Sequence, residues 1–257
     1  HLESLRFLFE TCQQYGLLIN AKKSNLCKKS LNFLGHQITK DGIQPQVKHL
    51  QAVSNFPPPT DKKSVKSFLG LVNYNLKYVK NASITLKPLY SICSTKNEFC
   101  WNEEQEAAFQ KIKRDLLSTK GLHHRNPKLP LTLVCDASGT GVGSTLYQQS
   151  GDEFQCIGYF SKPLSHADQR RSMRIKELLA LVYSVRHFEY FLLNTEFTVI
   201  SDHKSLLYLY REHMQTALDA KLTNIFYYLQ QHNFKILLPS ASFVHQIISP
   251  FLYVNKQ

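Results

Sequence analysis

The stretch that most limits the possible folds is residues 131–148, "LTLVCDASGTGVGSTLYQ", in which an apolar run stops at an aspartate and a second such run follows a turn of small residues. Because side chains alternate along a strand, Cys135 and Asp136 point to opposite faces. The glycines of "ASGTGVGS" favour a tight hairpin, and "EFQCIGYFSK" predicts a third antiparallel strand. We expect an antiparallel sheet with Cys135 in its core and Asp136 at a strand end, as a turn residue or as a metal ligand.

Two further acidic residues occupy defined positions later in the chain. The segment "RRSMRIKELLALVYSVRHFEYFLL" predicts a long helix, and Glu177 lies near its start at the margin of the apolar stripe, where a glutamate is ordinarily a surface residue. The stripe consists of Leu178, Leu181, Val182, Val185, Phe188 and Leu192. The segment "EFTVISDHKSLLYL" predicts a strand that ends at Asp202, which is also a suitable N-cap for a following helix.

A carboxylate cluster is predicted from the order of three elements. Two strands each end at an aspartate, and the helix between them carries a glutamate near its start. In a mixed sheet with that helix packed across it, Asp136, Glu177 and Asp202 would converge at one edge. Their mutual repulsion is costly without cations, and oxygen ligands suit Mg²⁺ or Mn²⁺. A pair of such ions activates water and stabilises the leaving oxygen at a phosphodiester. These three acids are the predicted catalytic and metal-binding residues.

Positive charge is concentrated in the first half of the chain. Residues 1–128 contain 20 Lys and Arg against 9 Asp and Glu, whereas residues 129–257 contain 11 against 10. Clustered lysine is typical of a surface that binds a phosphate backbone. A solvated lysine-rich surface without a partner explains the same composition.

Two amphipathic helices and a hairpin are predicted in this basic half. One helix follows three prolines with Thr60 or Asp61 as its N-cap, and the other begins after Asn102. Their apolar sides are Val65, Phe68, Leu69 and Val72 in the first and Phe109, Ile112 and Leu116 in the second. The first helix also carries a basic side, as a phosphate-binding helix or an ordinary surface helix would. Upstream, "KSLNFLGHQITKDGIQP" predicts a β-hairpin in which Gly35 marks a bulge or a close backbone approach.

Composition argues against a membrane protein and against a disulfide-stabilised one. No window approaches 18 uninterrupted apolar residues. The six cysteines are scattered without a Cys-x-x-Cys pair, which favours reduced thiols and an intracellular protein. The first residues, "HLESLRFLFE", have neither an initiator methionine nor a signal-peptide pattern, so we expect a fragment of a longer protein.

The order of motifs in the first half resembles the downstream part of a reverse transcriptase of the Ty3/gypsy class of retrotransposons. The motifs that carry this resemblance are "LLIN", "FLGHQI", "GIQP", "NFPPPT", "SFLGLVNY" and "FCWNEEQEAAFQKIK". In the second half, "LVCDASGTGVGSTLYQ", "IGYFSKPLS", "KELLALVYSVRHFEYFL" and "FTVISDHKSLLYL" resemble the RNase H domain of the same family. The resemblance extends from the first residue to about residue 235.

The resemblance implies an α+β and α/β fold, with a helical thumb and connection region followed by an RNase H-like mixed β-sheet flanked by helices. The implied boundaries are a C-terminal palm remnant with a primer-grip-like hairpin (1–44), a mostly helical thumb and connection (45–128), an RNase H-like domain (129–240) and a divergent tail (241–257).

The resemblance also implies a nucleic-acid-binding surface in the first half and a metal-dependent nuclease in the second. The implied nucleic-acid contacts are Phe33, Leu34, Gly35, His36, Lys62, Lys63, Lys66, Asn73, Tyr74 and Lys77. Asp136, Glu177 and Asp202 match three of the four carboxylates with which RNase H domains hold Mg²⁺ or Mn²⁺. The implied partners are an RNA–DNA hybrid or a primer–template duplex, and the upstream palm and fingers of a longer polyprotein.

Departures from the family pattern limit the expected activity. The polymerase aspartates of the family lie in an upstream Tyr-x-Asp-Asp turn, and no Asp-Asp pair occurs here, so polymerisation by this chain alone is not expected. One of two basic residues after the thumb tyrosine is replaced in Asn75-Leu76-Lys77. The last acidic residue is Asp219, so the segment after Pro239 lacks the fourth carboxylate. Three hypotheses stay open: an RNA-cleaving RNase H, a nucleic-acid-binding module without cleavage, and a decayed or domesticated remnant.

Overall fold

The computed structural model of the chain describes residues 1–94, 98–201 and 220–238. The helices are α1 (Leu2–Gln14), α2 (Val47–Ser54), α3 (Lys62–Asn73), α4 (Ala82–Thr85), α5 (Lys87–Ile92), α6 (Glu103–Leu117), α7 (His166–Gln169), α8 (Met173–His187), α9 (Glu189–Leu192) and α10 (Ala220–Leu229). The strands are β1 (Ser30–Phe33), β2 (His36–Thr39), β3 (Gly42–Pro45), β4 (Leu122–His123), β5 (Leu131–Ala137), β6 (Gly141–Ser150), β7 (Glu153–Pro163), β8 (Phe197–Ile200) and β9 (Phe234–Leu237). Short 3₁₀ turns cover Ala21–Lys23 and Leu76–Tyr78.

Side-chain caps fix where helices α3 and α6 of the first half begin. Asp61 accepts a hydrogen bond from the backbone N–H of Ser64 at 2.6 Å, and the Ser64 hydroxyl accepts one from the N–H of Asp61 at 3.1 Å. Asn102 and Gln105 form the same reciprocal arrangement at the start of α6. The predicted N-caps are confirmed, with Asp61 rather than Thr60 as the cap of α3.

Helices α2 to α6 enclose a first apolar core. The rings of Phe68 in α3 and Phe109 in α6 lie at its centre, with centroids 4.6 Å apart, and both are fully buried. The predicted apolar sides are confirmed as buried: Val65, Phe68, Leu69, Val72, Phe109, Ile112 and Leu116. The first half therefore has a core of its own.

Strands β1 to β4 form an antiparallel sheet in the order β1-β2-β3-β4. Leu34 and Gly35 make the turn between β1 and β2, with positive φ angles of 43° and 74°. The predicted hairpin is confirmed, and Gly35 lies in its turn rather than in a bulge. The predicted close approach involves a ring, because a Cβ at Gly35 would lie 2.8 Å from Cε1 of Tyr74.

Strands β5 to β9 form a second, mixed sheet in the order β7-β6-β5-β8-β9. Strands β5, β6 and β7 are antiparallel, as predicted, whereas β8 runs parallel to β5 and β9 parallel to β8. One face packs on α8: Leu131, Leu133, Cys135 and Ala137 share a core with Leu178, Leu181 and Val185. Cys135 is only 3% exposed, which confirms its predicted place in the core. The predicted fold class, a helical region followed by a mixed sheet with flanking helices, is confirmed.

The long helix predicted after residue 172 is interrupted. Helix α8 ends at His187, Phe188 has φ −96° and ψ 13°, and α9 continues from Glu189. Phe188 and Leu192 are nevertheless buried, so the whole predicted stripe is in the core. Among the residues that the structure describes, no helix has the length and apolar character needed to cross a lipid bilayer.

Candidate active site and nucleic-acid interface

Asp136 lies at the carboxyl end of the central strand of the second sheet. Strand β5 pairs with its parallel neighbour β8 only as far as Val134 and Ile200, and Asp136 lies two residues further along. The region outside the carboxyl ends of parallel strands is where open α/β sheets bind ligands. The side chain is half-buried, on the face of the sheet opposite Cys135 and α8.

Glu177 lies in the second turn of α8 and is 2% exposed. The expectation of a surface glutamate was therefore wrong. The reason is that α8 is buried without interruption from Lys176 to Val182, so this part of the helix has no solvent side. A signal was present in the sequence, because "ELLALV" contains no polar residue besides Glu177 itself. Burying a carboxylate costs several kcal/mol unless charges or hydrogen bonds compensate it.

Asp202, the third predicted ligand, lies outside the described residues. The last described residues before it are Ile200, at the end of β8, and Ser201, which are 4% and 2% exposed. Within ranges 1–94, 98–201 and 220–238, no three His, Cys, Asp or Glu side chains form a group able to hold a metal ion. The described structure thus places two of the three predicted carboxylates and leaves their relation to Asp202 untested.

The outer face of the second sheet, opposite α8, is covered by residues 80–83, here called the roof segment. The backbone N–H of Ser83 donates to Ser161 Oγ at 2.9 Å, and the Ser83 hydroxyl donates to the Ser161 carbonyl at 2.9 Å. Ser161 belongs to β7, in the same cross-strand row as Asp136. The helical first half is therefore hydrogen-bonded to the face of the sheet that bears Asp136.

Lys80, the first residue of the roof segment, interacts electrostatically with Asp136. Burial lowers the pKa of Lys80 to about 7, although the negative charge of Asp136 acts in the opposite direction. The neighbouring charge of Lys111 lowers this pKa further. Lys111 is itself ion-paired with Asp115 at 2.9 Å. A lysine was not predicted at this site.

A cavity of about 770 Å³ lies between the helical half and this outer face. Its sheet wall is largely aromatic, with Tyr147, Phe154 and Tyr159. Its helical wall carries Lys80 and Lys120. The cavity and Asp136 share one face of the sheet, and Lys80 connects them.

The hairpin turn and the end of helix α3 form a cluster around His36. The imidazole stacks on Tyr74 with ring centroids 4.7 Å apart and planes 7° apart. Its Nε2 atom lies 3.0 Å from Lys77 Nζ and 2.7 Å from Tyr74 Oη, and its Nδ1 atom lies 2.8 Å from Tyr78 Oη. The Tyr74 hydroxyl also donates to the carbonyl of Leu34. The structure brings together five of the ten predicted nucleic-acid contacts here: Leu34, Gly35, His36, Tyr74 and Lys77.

The electrostatics of this cluster favour a neutral imidazole. Burial lowers the pKa of His36, and the charges of Lys77 and His49 lower it further. Because an ammonium group only donates, Lys77 requires Nε2 of His36 to accept, and the Nδ1–H then donates to Tyr78. Burial also raises the pKa of the Tyr78 hydroxyl, which therefore stays protonated.

The remaining predicted contacts are spread over the first half. Phe33 is 53% exposed beside the hairpin turn. Lys63 and Lys66 are exposed on α3, whereas Lys62 donates to the carbonyl of Ser94 at 2.9 Å. Asn73 accepts a hydrogen bond of 2.5 Å from the Tyr90 hydroxyl, which occupies its side-chain oxygen. Their role in nucleic-acid binding stays a prediction.

Known proteins resemble this chain in sequence. Residues 101–199 match the family model of the RNase H-like domain found in reverse transcriptase. Over these residues the chain is similar to an RNase H-like domain of the reverse-transcriptase type. The retrovirus-related Pol polyprotein from transposon 297 of Drosophila melanogaster is 31% identical over 237 residues, 92% of this chain and 22% of that polyprotein. The Tf2-3 transposon polyprotein of Schizosaccharomyces pombe is 28% identical over 210 residues, 80% of this chain and 16% of that polyprotein.

These relatives confirm the predicted likeness to retrotransposon polyproteins. The chain spans about a fifth of the length of the curated relatives that it matches. The foamy viral protease-reverse transcriptase in complex with RNA/DNA hybrid matches the fold with a TM-score of 0.78 at 24% identity, over 94% of this chain and 33% of that chain. The same viral protein with dsDNA matches with a TM-score of 0.76. At this identity the two structures show the fold alone.

The RNase H-like domain and its surroundings contain residues that were not predicted as site residues. Tyr78 and His49 belong to the cluster around His36, and Lys80 lies near Asp136. The spacing of Tyr74 and Tyr78, four residues apart and so on one side of a helical turn, is a signal that sequence reasoning had available. Lys80 gave no such signal, because its neighbour Asp136 is 56 residues away in sequence.

Proposed function

We propose that this chain is part of a Ty3/gypsy-class retrotransposon polyprotein whose RNase H-like domain cleaves the RNA strand of an RNA–DNA hybrid with divalent metal ions. The order of the motifs and the transposon relatives support this assignment. The family match covers the segment that contains Asp136 and Glu177.

The observation that carries the proposal is the burial of Glu177 on the helix that packs against the strand of Asp136. A carboxylate that is 2% exposed contributes no apolar packing to the core. Its presence in the middle of "KELLALV" is therefore better explained by chemistry than by stability. Half-buried Asp136, just beyond the paired part of two parallel strands, is the second acid that such chemistry requires, and it belongs to the strand on which α8 packs.

Asp136, Glu177 and Asp202 would hold Mg²⁺ or Mn²⁺. The oxygen donors of Asp136 and Glu177 fit these hard cations, which prefer carboxylates. When bound, the ions supply an activated water and stabilise the leaving oxygen of the scissile phosphodiester. The protein's own contribution is to fix the acids on rigid elements: Asp136 on the central strand and Glu177 on a helix that is buried on several sides.

We further propose that the first half holds the nucleic acid for this reaction. The hairpin presents Phe33 and Leu34, which are 53% and 72% exposed, and Lys63 and Lys66 of α3 add exposed positive charge. The structural neighbours in complex with RNA/DNA hybrid and dsDNA make a duplex the expected partner. The upstream palm and fingers of the polyprotein would be its protein partner.

The proposal is tested by incubating the protein with a hybrid labelled on its RNA strand, with and without Mg²⁺. We expect metal-dependent cleavage that Asp136→Asn lowers by roughly 100-fold, about 2.7 kcal/mol of transition-state stabilisation. Asp152→Asn is the matched control, because Asp152 is exposed in the turn between β6 and β7. A wild-type protein without activity, or one in which both variants cleave equally well, would refute the nuclease assignment.

A second candidate is a module that binds nucleic acid without cleaving it. The charge of residues 1–128 and the lack of an acid after Asp219 favour it. Its affinity for the hybrid would fall steeply with salt, because lysine contacts release counterions. Titrations of hybrid at several salt concentrations, beside the cleavage assay, separate the two: steep salt dependence without cleavage supports the binding module.

A further inference from the structure

Three residues on the outer face of the RNase H-like sheet form a row across three strands. Asp136 of β5 pairs with Gly143 of β6, and Gly143 pairs with Ser161 of β7. Directly paired residues of neighbouring strands point to the same side of a sheet. The row therefore runs from the candidate metal ligand at the central strand to the edge strand β7.

The roof segment crosses this row and contacts it at successive positions. Ser83 holds Ser161 at the edge strand through two hydrogen bonds of 2.9 Å. At the middle strand, a Cβ on Gly143 would lie 2.4 Å from Oδ1 of Asn81, so this side chain lies directly over Gly143. Asn81 has a positive φ of 53°, which directs the chain from the turn before it into α4.

The row ends at Asp136, where the roof segment supplies a positive charge. Lys80 is half-buried, and the charges that act on it are those of Asp136, which attracts it, and Lys111, which repels it. Lys111 forms an ion pair with Asp115, and both residues lie on α6. The hydrogen bonds of Ser83 and the position of Asn81 over Gly143 thus place the segment that carries the lysine on the face of the acid.

We propose that Lys80 is a positioning residue for Asp136, which neutralises and orients this carboxylate until a divalent cation takes its place. The proposal rests on the proposed function of Asp136 as a metal ligand. A fixed ammonium group beside a carboxylate stabilises its charged form but also repels an incoming cation. The helical half of the chain would thereby set how readily the nuclease site is loaded with metal.

The test uses the whole chain and Mn²⁺ alone, titrated calorimetrically at about pH 6, where lysines are charged. Lys80→Met removes the charge and keeps the apolar stem, and we expect it to bind Mn²⁺ roughly tenfold more tightly. Lys80→Arg keeps the charge and is expected to bind like the wild type. Lys87→Met, at an exposed position of α5, is the matched control and should change nothing.

Cleavage kinetics supply the second readout. If Lys80 orients Asp136, Lys80→Met needs less Mn²⁺ for half-maximal rate but has a lower kcat, and Lys80→Arg restores kcat. A merely structural lysine would change neither the metal requirement nor the affinity. Gly143→Ala tests the same idea without altering a charge, because its Cβ would overlap Oδ1 of Asn81, the residue next to Lys80, and we expect Mn²⁺ affinity to rise again.

The outcomes separate this inference from the function on which it rests. If Asp136→Asn weakens Mn²⁺ binding while Lys80→Met and Gly143→Ala leave it unchanged, Asp136 is a ligand and Lys80 does not position it. If Asp136→Asn also leaves Mn²⁺ binding unchanged, both the metal site and the role of Lys80 are refuted. If Lys80→Met fails to fold, the Gly143→Ala titration decides.

Discussion

Residues 1–41 and helix α8 show opposite relations between an apolar sequence and burial. No residue of the first region is buried, although α1 is rich in leucine and phenylalanine and Phe7 is 72% exposed. In α8, by contrast, Lys176 and Glu177 are buried beside the leucines. An apolar pattern thus predicts a helix, but the surfaces around that helix determine whether its residues, apolar or charged, are shielded from water.

The difference follows from what each region packs against. Helix α8 lies on β5 and β6 on one side and meets α10 on another, where Arg186 stacks over the Tyr228 ring at 4.8 Å. Residues 1–41 are connected to the described chain mainly through the β2–β3 pairing and the contacts of His36. Many exposed large apolar side chains in one region are typical of an interaction site, which fits the proposed upstream palm as partner.

The largest effect that separates the two regions is on stability. Leu181→Ala in α8 removes a side chain that is 1% exposed and should lower the free energy of unfolding by about 2–5 kcal/mol. Leu8→Ala in α1, where the side chain is 49% exposed, should change it by less than about 0.5 kcal/mol. Urea unfolding of both variants measures this, and equal losses would mean that α1 packs as tightly as α8.

The contrast between a buried position in α8 and an exposed position in α1 also applies to acidic residues. Glu177→Gln keeps the shape of the buried side chain but removes a proposed metal ligand, so the rate of hybrid cleavage should fall by roughly 100-fold. Glu10→Gln changes an exposed acid of α1 and should leave the rate unaltered. Single-turnover rates at saturating Mg²⁺ compare them. A Glu177→Gln protein that folds and cleaves normally would show that burial of this acid has no catalytic purpose.

The pairing of β3 with β4, directly after residues 1–41, is sensitive to a single added methyl group. A Cβ at Gly42 would lie 2.0 Å from the carbonyl oxygen of Leu122, so Gly42→Ala must open the β3–β4 pairing and should cost about 1–3 kcal/mol. Gly70→Ala, in open space on α3, should instead stabilise by about 0.5–1 kcal/mol. The rate of hydrogen exchange should rise in β1 to β3 of Gly42→Ala and stay unchanged in α8. An equal rise throughout the chain would show that the effect is not local to this pairing.

Local features of this molecule were predictable from sequence, and contacts between distant segments were not. The caps Asp61 and Asn102, the buried stripes and the β5–β7 hairpins depend on residues within a few positions of each other, which a linear pattern contains. The burial of Glu177 was signalled only by the unbroken apolar run that follows it, whereas the packing of α8 between the sheet and α10 is a contact between distant segments. For the same reason the sequence predicted Asp136 as a ligand but not its neighbour Lys80.

The smallest expected effect concerns how His36 attaches the exposed region, and it depends on pH. Burial and the charges of Lys77 and His49 lower the pKa of His36 in the folded protein, whereas in the unfolded chain it titrates near its ordinary value of about 6.5. As the pH falls through 6.5, the unfolded chain takes up a proton that the folded protein resists, so stability is complete above this pH and decreases below it. Desolvation also lowers the pKa of His187, which adds to this loss in the same direction. His36→Gln should therefore lose less stability than the wild type between about pH 7.5 and pH 5.5, and His166→Gln, an exposed control, should follow the wild type. Urea midpoints at the two pH values decide: a His36→Gln protein with undiminished pH dependence would mean that His36 does not hold the hairpin to the end of α3 in its neutral form.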